Sequence, residues 1–343
     1  MGMRSEIGEA PEVVRSLVEK QWGVIDAVAE AVRTRPVDMV LIAARGTSDH
    51  AAIYAQYIFG VYNKLPVALA APSIQSLYGA VPRLRNALVI GVSQSGQSPD
   101  VVGVVEEARR QNAPTIAVTN DPESPLARAA EFGIGIQAGP ERAVAATKTY
   151  VAELTALAML STALDDRDQA REQLKHVPDA IAAALGLEDA VEAAAREQAG
   201  MRRVVVLGRG FNYSTALEWS LKLKETAYVM ADAYSTADFE HGPIAMIDPG
   251  FVVHAVAVEG PTLPEIELVL GRLRDSGARL VVASNSDAAL ALADVPLRLP
   301  AGPEWLSPLA AIIPGQLFAY HLALAKQLDA DRPRNIQKVT RTL

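Results

Sequence analysis

Four segments of this 343-residue chain recur in the same order at a nearly constant offset of roughly 165 residues. Residues 40–46, an apolar run ending in an Arg-Gly turn, are answered by 203–210. Residues 88–92 are answered by 251–258, 116–120 by 280–285, and the helical stretch 149–160 by 315–328. Two copies of one strand–turn–helix unit explain all four matches. Short Val- and Ile-rich runs alternate with helical patterns, which predicts parallel sheets flanked by helices on both faces. The expected organisation is a first α/β domain at 1–165, a charged, Ala-rich helical connection at 166–200, a second domain at 201–330 and a tail at 331–343.

In the first copy the expected order is an amphipathic helix at 12–32, a strand at 37–43, a helix at 49–61, a strand at 66–70 and a short helix at 73–78. A strand at 88–92 follows, then a loop and helix, a strand at 115–119, a weak strand near 133–137 and a long helix at 147–164.

The loop after 88–92 reads Ser93-Gln94-Ser95-Gly96-Gln97-Ser98, followed by Pro99, a favoured first residue of a helix, and Asp100. Side-chain donors and a helix N-terminus together suit an anion, because the first helical N–H groups lack partners and the dipole is positive there. A phosphate is the expected guest; an ordinary capped strand-to-helix turn is the alternative. The second copy has Glu259-Gly260-Pro261-Thr262-Leu263-Pro264 at the corresponding place, so only the first copy is expected to hold phosphate.

The absence of cysteine excludes disulfides, thiolate metal sites and a cysteine nucleophile, and the five histidines show no metal-binding spacing. No cofactor or metal is expected. A net charge of −8 argues against a general nucleic-acid partner, so an anionic substrate must be held by local donors. The first residues lack the basic start and apolar run of a secretory signal, and no apolar stretch reads as long enough to span a bilayer. The expected location is cytoplasmic.

In the second half, Glu218, Lys222 and Glu225 share one helical face at spacings of four and three. They form either an ion-pair ladder or a carboxylate base for a carbon acid beside a carbonyl. His241, in Glu240-His241-Gly242-Pro243, is either structural or a proton shuttle. The polar tail around Lys338 either frays or folds over a site and delivers a lysine.

RGTS at 45–48, SQSGQS at 93–98, VAATK at 144–148, ALEWSLKLKE at 216–225, EHGP at 240–243 and PRNIQK at 333–338 stand in the order found in double sugar-isomerase (SIS) domain proteins. The chain most resembles the isomerase half of glutamine–fructose-6-phosphate amidotransferase. The resemblance spans nearly the whole chain and implies two flavodoxin-like three-layer α/β/α domains. It further implies that Thr47, Ser48, Ser93, Gln94, Ser95 and Ser98 hold a sugar phosphate and nearby hydroxyls, and that Val144 and Ala145 also line the substrate site. Glu225 corresponds to the carboxylate that moves a proton between C1 and C2, with Lys222 beside it. His241 corresponds to a ring-opening histidine supplied by the neighbouring subunit of a homodimer, and Lys338 to a lysine that forms an imine with the ketose.

Departures from that pattern point to a narrower activity. The glutaminase domain and its N-terminal cysteine are missing from this sequence. Arg45 replaces a cysteine, Gln97-Ser98 replace Glu-Thr, and Ala146 replaces a serine. RGTSDHAA at 45–52 is similar to stand-alone glucosamine-6-phosphate deaminases and phosphosugar deglycases. Arg45 therefore either contacts substrate or faces solvent. The foremost expectation is conversion of glucosamine 6-phosphate to fructose 6-phosphate and ammonia. A fructosamine-6-phosphate deglycase, an aminotransferase-like or plain ketose–aldose isomerase, and a non-catalytic phosphosugar sensor are the alternatives, and no membrane partner is expected.

Overall fold

The computed structural model describes residues 2–338; Met1 and residues 339–343, the end of the expected tail, lie outside the described residues. The chain divides into two compact units. The first takes Glu12–Glu141, Lys148–His176 and the tail from Ile336; the second takes the residues through Pro11, Arg142–Thr147 and Val177–Asn335.

In the first unit five parallel strands, β1 (Met39–Ala43), β2 (Val67–Leu69), β3 (Ala87–Val92), β4 (Thr115–Thr119) and β5 (Phe132–Gly135), form one sheet in the order β2-β1-β3-β4-β5. Every residue of β3 and β4 is buried, as expected of parallel strands covered on both faces, and that is why they read as unbroken apolar runs. The second unit repeats the design with β6 (Arg203–Gly208), β7 (Met230–Ser235), β8 (Val252–Val256), β9 (Arg279–Ser284) and β10 (Val295–Arg298), ordered β10-β9-β8-β6-β7 and again all parallel. Both sheets thus follow the doubly wound order 2-1-3-4-5. The chain reverses direction between the first and third strands of each, and ligands bind at the strand C-termini flanking such a switch point.

Three details differ from expectation. The opening helix is two helices, Met3–Lys20 and Trp22–Arg33, joined at Gln21. Strands β7 and β10 were not expected; both are sheet edges, where Asp232 and Pro296 interrupt the apolar pattern without cost to a central ladder. The segment Glu304–Ala325 is, by length and composition, apolar enough to cross a membrane, with a mean hydropathy of 1.4. Its apolar character has another cause: 83% of that window is buried, and the helix Ser307–Ala325 is the core helix of the second unit, packed on Tyr213–Ala227 and Glu188–Glu197.

Candidate functional site

The switch point of the first unit lies between β1 and β3, which pair in register from Met39↔Ala87 to Ala43↔Gly91. Each strand feeds a helix: β1 leads through Arg45 and Gly46 into Thr47–Val61, and β3 leads through the loop 93–98 into Pro99–Arg110. Two helix N-termini therefore open beside one another. Neither has a side-chain cap, since Gly46 (φ 54°) precedes the first and Ser98, in extended conformation, makes no cap bond to the second. Pro99 needs no partner there, having no N–H.

The loop folds on itself. The Ser93 hydroxyl accepts the Gly96 N–H at 3.2 Å and the Ser95 hydroxyl accepts the Gln97 N–H at 3.3 Å, so each hydroxyl proton can still be donated outward. Gly96 is required: its φ is 61°, and a Cβ would stand 2.2 Å from Ser124 Oγ. Asp100 is buried beneath the loop, where it accepts the Val101 N–H at 2.9 Å and the Arg45 guanidinium at 2.7 Å. Arg45, about half exposed, thus balances the carboxylate that would otherwise oppose an anion. Ser48 differs from expectation in one respect. Its side chain is buried, and its hydroxyl donates to Glu153 at 2.8 Å, not outward.

The first unit also brings together Lys338 and Glu141, with Nζ 2.6 Å from Oε2. Residues Val144 and Ala145 belong to the segment Arg142–Thr147 of the second unit. There the buried Glu6 carboxylate accepts the N–H groups of Arg142 (2.5 Å) and Ala143 (3.1 Å); Ala145 is buried and Val144 half-buried.

In the second unit, the helix Tyr213–Ala227 carries the expected charged face. Lys222 Nζ lies 3.2 Å from Glu218 Oε1 and 2.6 Å from Glu225 Oε2. Glu218 and Lys222 are fully buried, whereas 22% of the Glu225 side chain is exposed. Burial alone would push the Lys222 ammonium down, but the two carboxylates outweigh it and hold the lysine above its ordinary value. The ladder exists, and its one solvent-reaching end is Glu225. His241 is exposed, directly after the short helix Thr236–Glu240 that follows β7; its backbone N–H bonds to Asp238 O at 3.2 Å.

The switch point of the second unit has a different chemistry. Arg209 pairs with Glu265, and the Glu304 carboxylate fills the space beside Gly260, accepting the Thr262 hydroxyl at 2.9 Å. Burial pushes the Glu304 carboxyl up from its ordinary value. Among the described residues no cluster of three or more acidic or histidine side chains could hold a metal. The sequence reading missed the buried carboxylates Glu141 and Glu153, the half-buried Glu304 and the pairing of Asp100 with Arg45, each recognisable only once its remote partner is known.

Two doubly wound domains, one with a hydroxyl-lined switch point and one with a carboxylate at it, define a tandem α/β protein. The chain belongs to the SIS domain family, whose model matches residues 35–163 and 199–326. Glutamine–fructose-6-phosphate aminotransferase (isomerizing) of Pyrococcus horikoshii is 34% identical over 345 residues, covering 98% of this chain but 57% of that protein. The chain therefore spans little more than half the length of the curated relatives it matches. Among solved structures, a Silicibacter pomeroyi DSS-3 protein assigned as a phosphosugar isomerase is 34% identical with a TM-score of 0.87, covering 96% of this chain and all of that one. The C-terminal domain of glucosamine-fructose-6-phosphate aminotransferase from Francisella tularensis is 28% identical with a TM-score of 0.87, covering 96% of this chain and 98% of that one.

Proposed function

We propose that this chain is a phosphosugar aldose–ketose isomerase that converts glucosamine 6-phosphate and water to fructose 6-phosphate and ammonia. The observation that carries the reading is the buried Glu218–Lys222 pair, which presents Glu225 as a partly exposed carboxylate. The donors of Ser93, Gln94, Ser95 and Ser98, with the N–H groups around Thr47 and Ser48, take the phosphate. His241 assists ring opening. Glu225 then removes the C2 proton of the open-chain amino aldehyde, leaving an enolamine, and returns a proton to C1. The result is an imine at C2, to which water adds as ammonia departs. Lys338 can hold the resulting ketose carbonyl as its own imine, releasing water.

The functional form proposed is a cytoplasmic homodimer in which His241 completes the neighbouring subunit's site, a role that its exposed position supports. The curated aminotransferase relatives favour a second reading, in which the same isomerisation runs toward the amino sugar. Arg45, Gln97, Ser98 and Ala146 favour ammonia release, because they depart from the aminotransferase pattern at four positions. Steady-state ammonia release from glucosamine 6-phosphate, measured against fructosamine 6-phosphate, tests the assignment. Preference for glucosamine 6-phosphate is expected, and preference for the fructosamine would make the protein a deglycase.

A further inference from the structure

Glu141 follows the turn at Gly139 (φ 65°) and precedes the helix Lys148–Leu164. Its side chain is wholly buried, an expensive place for a carboxylate unless it is well bonded. It accepts the Thr149 backbone N–H at 3.2 Å and the Thr149 hydroxyl at 2.7 Å. Both contacts set it at the N-terminus of a 17-residue helix, where unpartnered N–H groups and the helix dipole favour negative charge. The preceding residue is tied to the same helix start, since Lys148 Nζ donates to Pro140 O at 2.9 Å. Local structure thus fixes the carboxylate in place. A further contact comes from 197 residues away in sequence: Lys338 Nζ, on a side chain 23% exposed, lies 2.6 Å from Glu141 Oε2.

We propose that Glu141 is the positioning residue for Lys338, a carboxylate fixed at a helix N-terminus that docks the C-terminal segment and sets where the lysine amine waits. The consequence for turnover rests on the reading of Lys338 as the imine-forming lysine; the docking itself does not. An ammonium engaged by a buried carboxylate at this distance is shielded from reagents in solution. A neutral amide at 141 keeps the shape but gives up the charge-assisted bond, which corresponds to a loss on the order of 10- to 100-fold in the docked population.

Competitive acetylation of the full chain with trace acetic anhydride, read by peptide mass spectrometry, measures this directly. In Glu141→Gln, Lys338 is expected to label roughly 10- to 100-fold faster, while the fully buried Lys222 stays protected as the internal control for folding. Glu141→Asp should recover part of the protection, and kcat for the isomerisation should fall more than KM rises in Glu141→Gln. Lys338 labelling within twofold of the parent overturns the proposal. Should Glu141→Gln label uniformly, as an unfolded chain does, Thr149→Val repeats the test: loosening the carboxylate must raise Lys338 labelling selectively, and no rise overturns the proposal. If the parent turns over no phosphosugar but the labelling contrast holds, the functional reading fails and the docking stands.

Discussion

Lys222→Met removes the cation between Glu218 and Glu225 while keeping a side chain of similar reach. Lys222 and Glu218 have no exposed side-chain surface, so the substitution leaves a buried carboxylate without its counter-charge. Breaking a buried pair from one side costs about 3–5 kcal/mol. Glu225 keeps contact with water and adds little to that loss. For a unit of this size each kcal/mol lowers Tm by roughly 2–4 °C, so a fall on the order of 10 °C is expected at pH 7. Adding Glu218→Gln should recover most of the fall, since neither partner is then an orphaned ion. Thermal melts of the parent, single and double variants by circular dichroism at pH 7 provide the test. A single variant within 2 °C of the parent, or a double variant no better than the single, would refute the triad as a buried ion-pair unit.

Other expectations follow from particular contacts. Gly96→Ala places a Cβ against Ser124 at a positive φ, a strain worth about 1–3 kcal/mol that distorts the loop. Calorimetric binding of fructose 6-phosphate should weaken by roughly tenfold or more, and unchanged affinity would contradict the loop assignment. His254 is wholly buried against Trp219 and Phe318, and burial pushes its imidazole from 6.5 down to about 3. Its folded pKa is depressed, so the stability it contributes is complete above pH 6.5 and is lost as pH falls toward 3, at about 1.4 kcal/mol per unit. His254→Leu should therefore lose roughly 2 kcal/mol less than the parent between pH 6.5 and 4.5 in urea melts. Equal losses would contradict the burial argument.

Parallel central strands were legible because burial on both faces demands continuous apolar runs, as in ALVIGV of β3 and TIAVT of β4. The edge strands β7 and β10 were not legible, because an edge tolerates Asp232 or Pro296. The hydroxyl loop could be read because its function and its local fold use the same six residues. The orientation of Ser48 could not, because it depends on Glu153, 105 residues away. Arg45 and Asp100, 55 residues apart, are joined only by the pairing of β1 with β3. A lone acidic residue reads as surface in a sequence. Burial of Glu141 becomes intelligible only when the helix start and the distant tail lysine are both in place.

The most direct test of the central claim is ammonia release from glucosamine 6-phosphate by the parent protein beside Glu225→Gln, which preserves shape and removes the base. The account predicts ammonia and fructose 6-phosphate in equal amounts from the parent, with a rate lower by about 10²–10⁴-fold in the variant, whose fold and phosphate affinity persist. A variant as active as the parent would contradict Glu225 as the base, and a parent that binds fructose 6-phosphate yet releases no ammonia would contradict the deaminase itself.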